Sequence, residues 1–196
     1  MSTQAVRKAL VSFESLAWLF AAAVTLHNLE EAIWLPAWSK AGPRWRVAVD
    51  AAEFRFAVSV LTIVAYACAW FAAAGSSVGV YLLCGYALAM ALNALIPHLA
   101  ATIFFRAYAP GAATGCLLNF PISVMLLMRA VTDLRLDLMT FAWAGPLAVA
   151  ALALSIPILF RIGRAAISLG FLRKTPSSPE RRDGLSFPRK ERESRS

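Results

Sequence analysis

Charged side chains are scarce in this chain: they make up 15% of its 196 residues, against 60% hydrophobic. With a positive mean hydropathy, that scarcity excludes an ordinary soluble domain and predicts an all-α, polytopic membrane bundle. Cysteine is nearly as rare. Cys68, Cys84 and Cys116 lie in apolar runs without CxxC spacing, which excludes a disulfide framework or a thiolate metal cluster. They read as small hydrophobes at helix interfaces. No internal repeat is visible, which weighs against the usual plan of a carrier. Acidic residues are outnumbered 11 to 19 by Lys and Arg, and the excess is uneven. From Leu172 to Ser196, eight basic residues stand against four acids, with Pro and Ser between them. Residues 171–196 therefore read as a basic, disordered tail behind a bundle of residues 1–170. Beside a membrane domain such a tail marks the cytoplasmic end, and no nucleic-acid partner is expected.

What the chain does have is length in its apolar runs. Five are long enough to cross a bilayer, which needs about 20 residues: Ser15–Leu35, Phe56–Ala74, Val78–Phe105, Ala113–Val131 and Phe141–Ile162. Arg7 and Lys8 precede the first run as in a signal peptide, but Glu14 interrupts it and it continues too far, so it reads as a retained span. Lys40, Arg44, Trp45, Arg46 and Arg55 in the first loop suit a headgroup layer. With Arg106 and the tail they make the positive-inside bias favour N-terminus outside, C-terminus cytoplasmic. Ala74-Gly75-Ser76-Ser77 predicts a tight turn, making spans two and three antiparallel neighbours.

The organising stretch is His27-Asn28-Leu29-Glu30-Glu31, inside the first run. A charged side chain near a bilayer centre costs about 2.5–3.5 kcal/mol on insertion scales, so such residues usually serve an internal site. At about 100° per residue His27, Glu30 and Glu31 share one helix face, together with Phe20, Ala23, Val24 and Trp34. Spans one and three run in the same direction, and His98 sits late in span three at the depth of the cluster. Asn93, Tyr108, Pro110, Gly111 and Asn119 follow on the same side. Pro97 frees the carbonyl of Asn93 and bends span three beside His98, and Pro121 and Pro157 act likewise on Leu117 and Ala153. Ala87, Ala91 and Ala94 let backbones draw close on that face. Arg106 is read as a headgroup anchor before a counter-ion, and Tyr108 as interfacial before chemical. Arg129, Asp133, Arg135 and Asp137 read as a solvated turn.

His27-Asn28-Leu29-Glu30-Glu31, the second histidine His98 and Tyr108-Ala109-Pro110-Gly111 together resemble the HXXEE-domain family of bacterial integral membrane proteins. The resemblance covers about Ser15 to Val131 and implies a bacterial inner-membrane location and which residues matter. It transfers no activity. From the residues themselves, two neighbouring carboxylates in a low-dielectric site cannot both ionise cheaply unless a cation neutralises them. Four readings stay open. The first is acid–base catalysis by His27, Glu30, Glu31 and His98 on a lipophilic substrate, with Asn93, Tyr108, Pro110, Gly111 and Asn119 in support. In outline it is similar to the sterol isomerases of the emopamil-binding family. The second is a divalent metal on His27, Glu31 and His98, with Glu30 as base for a bound water. The others are a proton- or cation-coupled carrier or binding protein, and a structural cluster that fixes helix pairing.

Overall fold

The structure is a computed structural model that describes residues 12–41 and 48–170. Arg7, Lys8, Arg44, Trp45, Arg46 and the basic tail lie outside the described residues. Those described fold into five long helical segments with no strand. They are α1 (Phe13–Lys40), α2 (Ala51–Ala73), α3 (Ser77–Phe105), α4 (Ala112–Thr132) and α5 (Leu138–Ser168). The last four are each long and apolar enough to cross a membrane. The first is 28 residues long, and its acidic cluster is what sets it apart.

Caps explain the boundaries. Ser12 accepts from the Ser15 amide to start α1, and Asp50 accepts from Ala52 and Glu53 to start α2. Asp137 starts α5; hydrogen bonds from Thr140 hold its carboxyl below the usual carboxylate range. The α2–α3 turn needs Gly75 at φ +87°. α1 differs from expectation at its far end. It runs through Pro36 to Lys40, so His27 lies at the middle of the helix and not in its last third.

α1, α3 and α4 pack around a core of Phe13, Phe20, Val24, Leu83, Ala87 and Leu126, all fully buried. Cys68 and Cys84 are buried free thiols. Trp34 departs from the expected stripe: it is exposed, although Pro36 and Ser39 beyond it are buried. At the end of the bundle that holds Glu14, Arg135 donates to Glu14 at 2.5 Å and Arg129 pairs with Asp133 at 3.3 Å. The turn between α4 and α5 is therefore tied to α1 and not merely solvated.

Two irregular turns shape the interior. In α3 the helix breaks at Ile96, whose φ −134° and ψ 111° are extended, as the residue before a proline prefers. In α4 the turn Gly115–Asn119 is wide, ahead of Pro121. Both expected prolines thus distort the backbone beside the polar cluster.

Candidate functional site

α1 turns His27 and Glu30 fully inward, and the break in α3 delivers His98 to meet them; all three are at most 6% exposed. The imidazoles of His27 and His98 stand edge to face, centroids 5.0 Å apart. The depth match between the first and third runs therefore becomes direct contact.

Glu30 is held by four donors. Its Oε1 accepts from the Tyr108 hydroxyl and from the Gly111 amide at 2.7 Å. Its Oε2 accepts from the Thr114 amide at 3.1 Å and the Thr114 hydroxyl at 2.6 Å. A carboxylate offers about four lone-pair positions, and here each is taken. The group is an acceptor throughout and carries its charge. It has no lone pair left for a reacting proton, so it does not fit the role of general acid or base foreseen for it. Its position fits another role, which is to shape the turn 108–114 around the site. Desolvation of its hydroxyl and the bond to Glu30 hold the Tyr108 phenol above its ordinary range, so it remains a donor at neutral pH. Tyr108 is half-exposed yet anchors the carboxylate, which makes it more than an interfacial ring.

The direction of the next bonds follows. The single proton of the Thr114 hydroxyl goes to Glu30, so Thr114 Oγ1 must accept from His27 Nδ1, 3.0 Å away. That assigns the proton to Nδ1 of a neutral His27 and leaves Nε2 as a bare lone pair. The Asn93 amide nitrogen lies 3.3 Å from this Nε2 and 3.0 Å from His98 Nε2. Its two N–H groups donate to both, so His98 Nε2 too is an unprotonated acceptor, and either lone pair becomes available to an ion only when the Asn93 amide turns aside.

Glu31 completes the group. Its carboxylate oxygens lie 3.8 Å from His27 Nε2 and 3.1 Å from His98 Nε2. Three acceptors thus converge, all within 4.8 Å of one another. Asn93 can donate to both imidazoles, which leaves the Glu31 carboxylate beside them without a proton of its own, and a cation or a proton at that point would offset its charge. Two atoms each about 2.0–2.1 Å from a tetrahedral ion stand about 3.3–3.4 Å apart, and the two contacts of Glu31, made by different oxygens, fall on either side of that figure. Two imidazoles and one carboxylate are also a known donor set for zinc and for non-haem iron. The residues fit a divalent ion.

The other expected residues divide. Gly111 is required on two counts: its φ is +90°, and a Cβ there would fall 2.6 Å from His98 Cε1 and 3.0 Å from His27 Cε1. Gly111→Ala is therefore expected to cost about 1–2 kcal/mol in detergent unfolding from the left-handed backbone alone, and to displace both imidazoles. Pro110 faces a separate cavity beside Trp34 and Trp38. Asn119 is fully buried but makes no hydrogen bond to the cluster. Arg106 is exposed and pairs with neither Glu30 nor Glu31 among the described residues. Asn28, inside the motif, donates to Thr62 and to the Val58 carbonyl and so fixes α1 to α2. Thr114 was not anticipated. A lone Thr in an Ala- and Gly-rich first turn carries no spacing signal, and only the fold reveals that it links Glu30 to His27.

His27, Asn28, Glu31 and Asn93 form the polar end of a cavity of about 300 Å³. Its walls are apolar and come from α2, α3 and α5, including Leu61, Tyr86, Met90, Leu152 and Phe160.

The family described as "Protein of unknown function with HXXEE motif" matches residues 18–126. The "Uncharacterized protein YrkK" of Bacillus subtilis (strain 168) is 38% identical over 147 residues, which cover 74% of this chain and 92% of that protein. No solved structure matches the chain. The matched segment contains His27, Glu30, Glu31, His98 and Thr114, and stops short of α5.

Proposed function

The chain belongs to the HXXEE family, and from its site we propose that it is a membrane-embedded, metal-dependent enzyme that hydrolyses a lipophilic substrate. The observation that carries this reading is the convergence of His27, His98 and the Glu31 carboxylate, whose candidate ligand atoms all lie within 4.8 Å of one another. A divalent ion bound there would supply a Lewis acid and make a coordinated water more acidic. The chain's own residues do the rest. His27, Glu31 and His98 hold the ion; Glu30, through Thr114, keeps the proton of His27 on Nδ1 and its ring in place. The apolar cavity receives the substrate with its polar group toward Glu31, and excludes bulk water.

The test is titration of metal-depleted protein with zinc. Wild type is expected to bind one ion per chain, and chain-stoichiometric binding that survives in His27→Ala and His98→Ala variants would contradict the reading. Thr114→Val should weaken zinc binding by about 10–100-fold, the usual effect of losing a partner of a ligating imidazole. Thr114→Ser, which keeps the hydroxyl, should restore it. Nitrogen NMR of His27 should show the Nδ1–H tautomer in wild type and lose that preference in Thr114→Val.

One further reading has a specific observation behind it. A proton on His98 Nε2 would also satisfy the 3.1 Å contact with Glu31, with the Asn93 amide turned over. That is the acid–base enzyme, with Glu31 and His98 as the working pair. Metal-free protein that remains active would select it. Lys40, Arg55, Arg106, Arg161 and Arg164 gather at one set of helix ends, which supports a cytoplasmic location for that face and an outside N-terminus.

A further inference from the structure

α5 is held to the bundle most closely at two places, and the stretch between them lines a cavity. Near its start, Gly85 of α3 lies so close to Ala148 that a Cβ there would fall 2.4 Å from the alanine methyl. Near its end, Gly163 packs on Phe56 and Glu53, and Arg164 clasps Glu53 with two hydrogen bonds of 2.7 and 3.0 Å. Only Gly145 and Gly163 of the whole helix are buried. Between the two attachments, Val149, Leu152, Ala153, Ile156 and Phe160 wall the cavity whose polar end is His27, Glu31 and Asn93.

The cavity is open on one side. Ala153 and Ile156 of α5, and Leu92 and Ile96 of α3, line it and are nevertheless exposed. All four are apolar, which suits an opening toward hydrocarbon. The break at Ile96 that turns His98 inward also turns Ile96 out to this edge, 72% exposed. Pro157 leaves the Ala153 carbonyl without its helical partner, which weakens α5 along the same stretch.

We propose that this opening is a lateral entrance, through which the apolar chain of a membrane-borne amphiphile enters, and that Ala153 limits what enters. The inference rests on the functional reading above for the polar group of that amphiphile, which is drawn to the His27–Glu31 end. The chain of a lipid-like molecule is the occupant because entrance and walls are apolar, while polarity is confined to the inner end. The matched family segment ends before α5, so the ligating groups and this wall lie in different parts of the sequence. The α5 side of the wall, Ala153 included, can then differ without altering the ligands.

The test uses full-length protein in lipid nanodiscs and dodecanol carrying a terminal diazirine, with cross-linked residues read by mass spectrometry. Wild type should be labelled at cavity residues such as Leu61 and Met90. Ala153→Trp, which blocks the entrance, should lose that label. Leu154→Trp, on the outward face, should keep it. If Ala153→Trp does not fold, Ala153→Leu should reduce the label in the same direction. Cavity labelling unchanged by both Ala153 variants, or labelling confined to outward residues, would overturn the proposal. Zinc binding is measured on the same samples. Labelled wild type without zinc binding would leave the entrance standing and remove the metal reading. Zinc binding without cavity label would do the reverse.

Discussion

Replacing Glu30 by alanine is expected to remove about 3–6 kcal/mol of folding stability, more than any other single change in the motif. The Gly111 and Thr114 amides are fixed by the backbone and face inward. Each such donor left unsatisfied costs about 1–3 kcal/mol, and the Tyr108 and Thr114 hydroxyls lose a charged acceptor as well. Glu30→Gln should fall between, because its amide keeps one acceptor oxygen and presents N–H groups to the remaining donors. Glu31→Ala is the informative contrast. In metal-free protein Glu31 is one of three converging acceptors, so its removal relieves repulsion and should leave stability unchanged or raised. Detergent unfolding of the two variants side by side checks this. Equal losses would mean that the two carboxylates share one role.

The second large effect concerns the ligands. His27→Ala, Glu31→Ala and His98→Ala should each reduce zinc affinity by more than the about 10–100-fold attached to an outer partner. Linkage gives an independent readout. Zinc at a hundred times its Kd should raise wild-type stability by about 2.7 kcal/mol and leave His98→Ala unmoved. The pair of measurements separates a ligand from a residue that merely supports packing. Loss of stability without loss of the zinc response would assign His98 to the latter.

Much of this architecture is legible in the sequence because a bilayer constrains it so strongly. Apolar runs of spanning length mark the helices, Asp50 marks the start of α2, and the cost of His27, Glu30 and Glu31 in such a run marks an interior site. The meeting of His27 with His98 follows from depth and direction alone. Other features depend on contacts that no local pattern encodes. Glu30 and Glu31 are adjacent and chemically identical, yet one is saturated by the turn 108–114 and the other faces the imidazoles. Which is which depends on how α4 begins. Thr114 acquires its importance from that same turn. Pro36 ends nothing: α1 runs through it to Lys40 with Pro36 and Ser39 buried. Asn119 looks like a site residue by depth, but α4 carries it past the cluster into the core.

The account depends on two imidazoles and a carboxylate of this chain acting together as ligands. X-ray absorption on purified, zinc-loaded protein tests that most directly. It should report one ion per chain bound by two imidazole nitrogens and a carboxylate oxygen at about 2.0–2.2 Å. Protein that retains no ion, or an ion whose spectrum contains no imidazole, would contradict it.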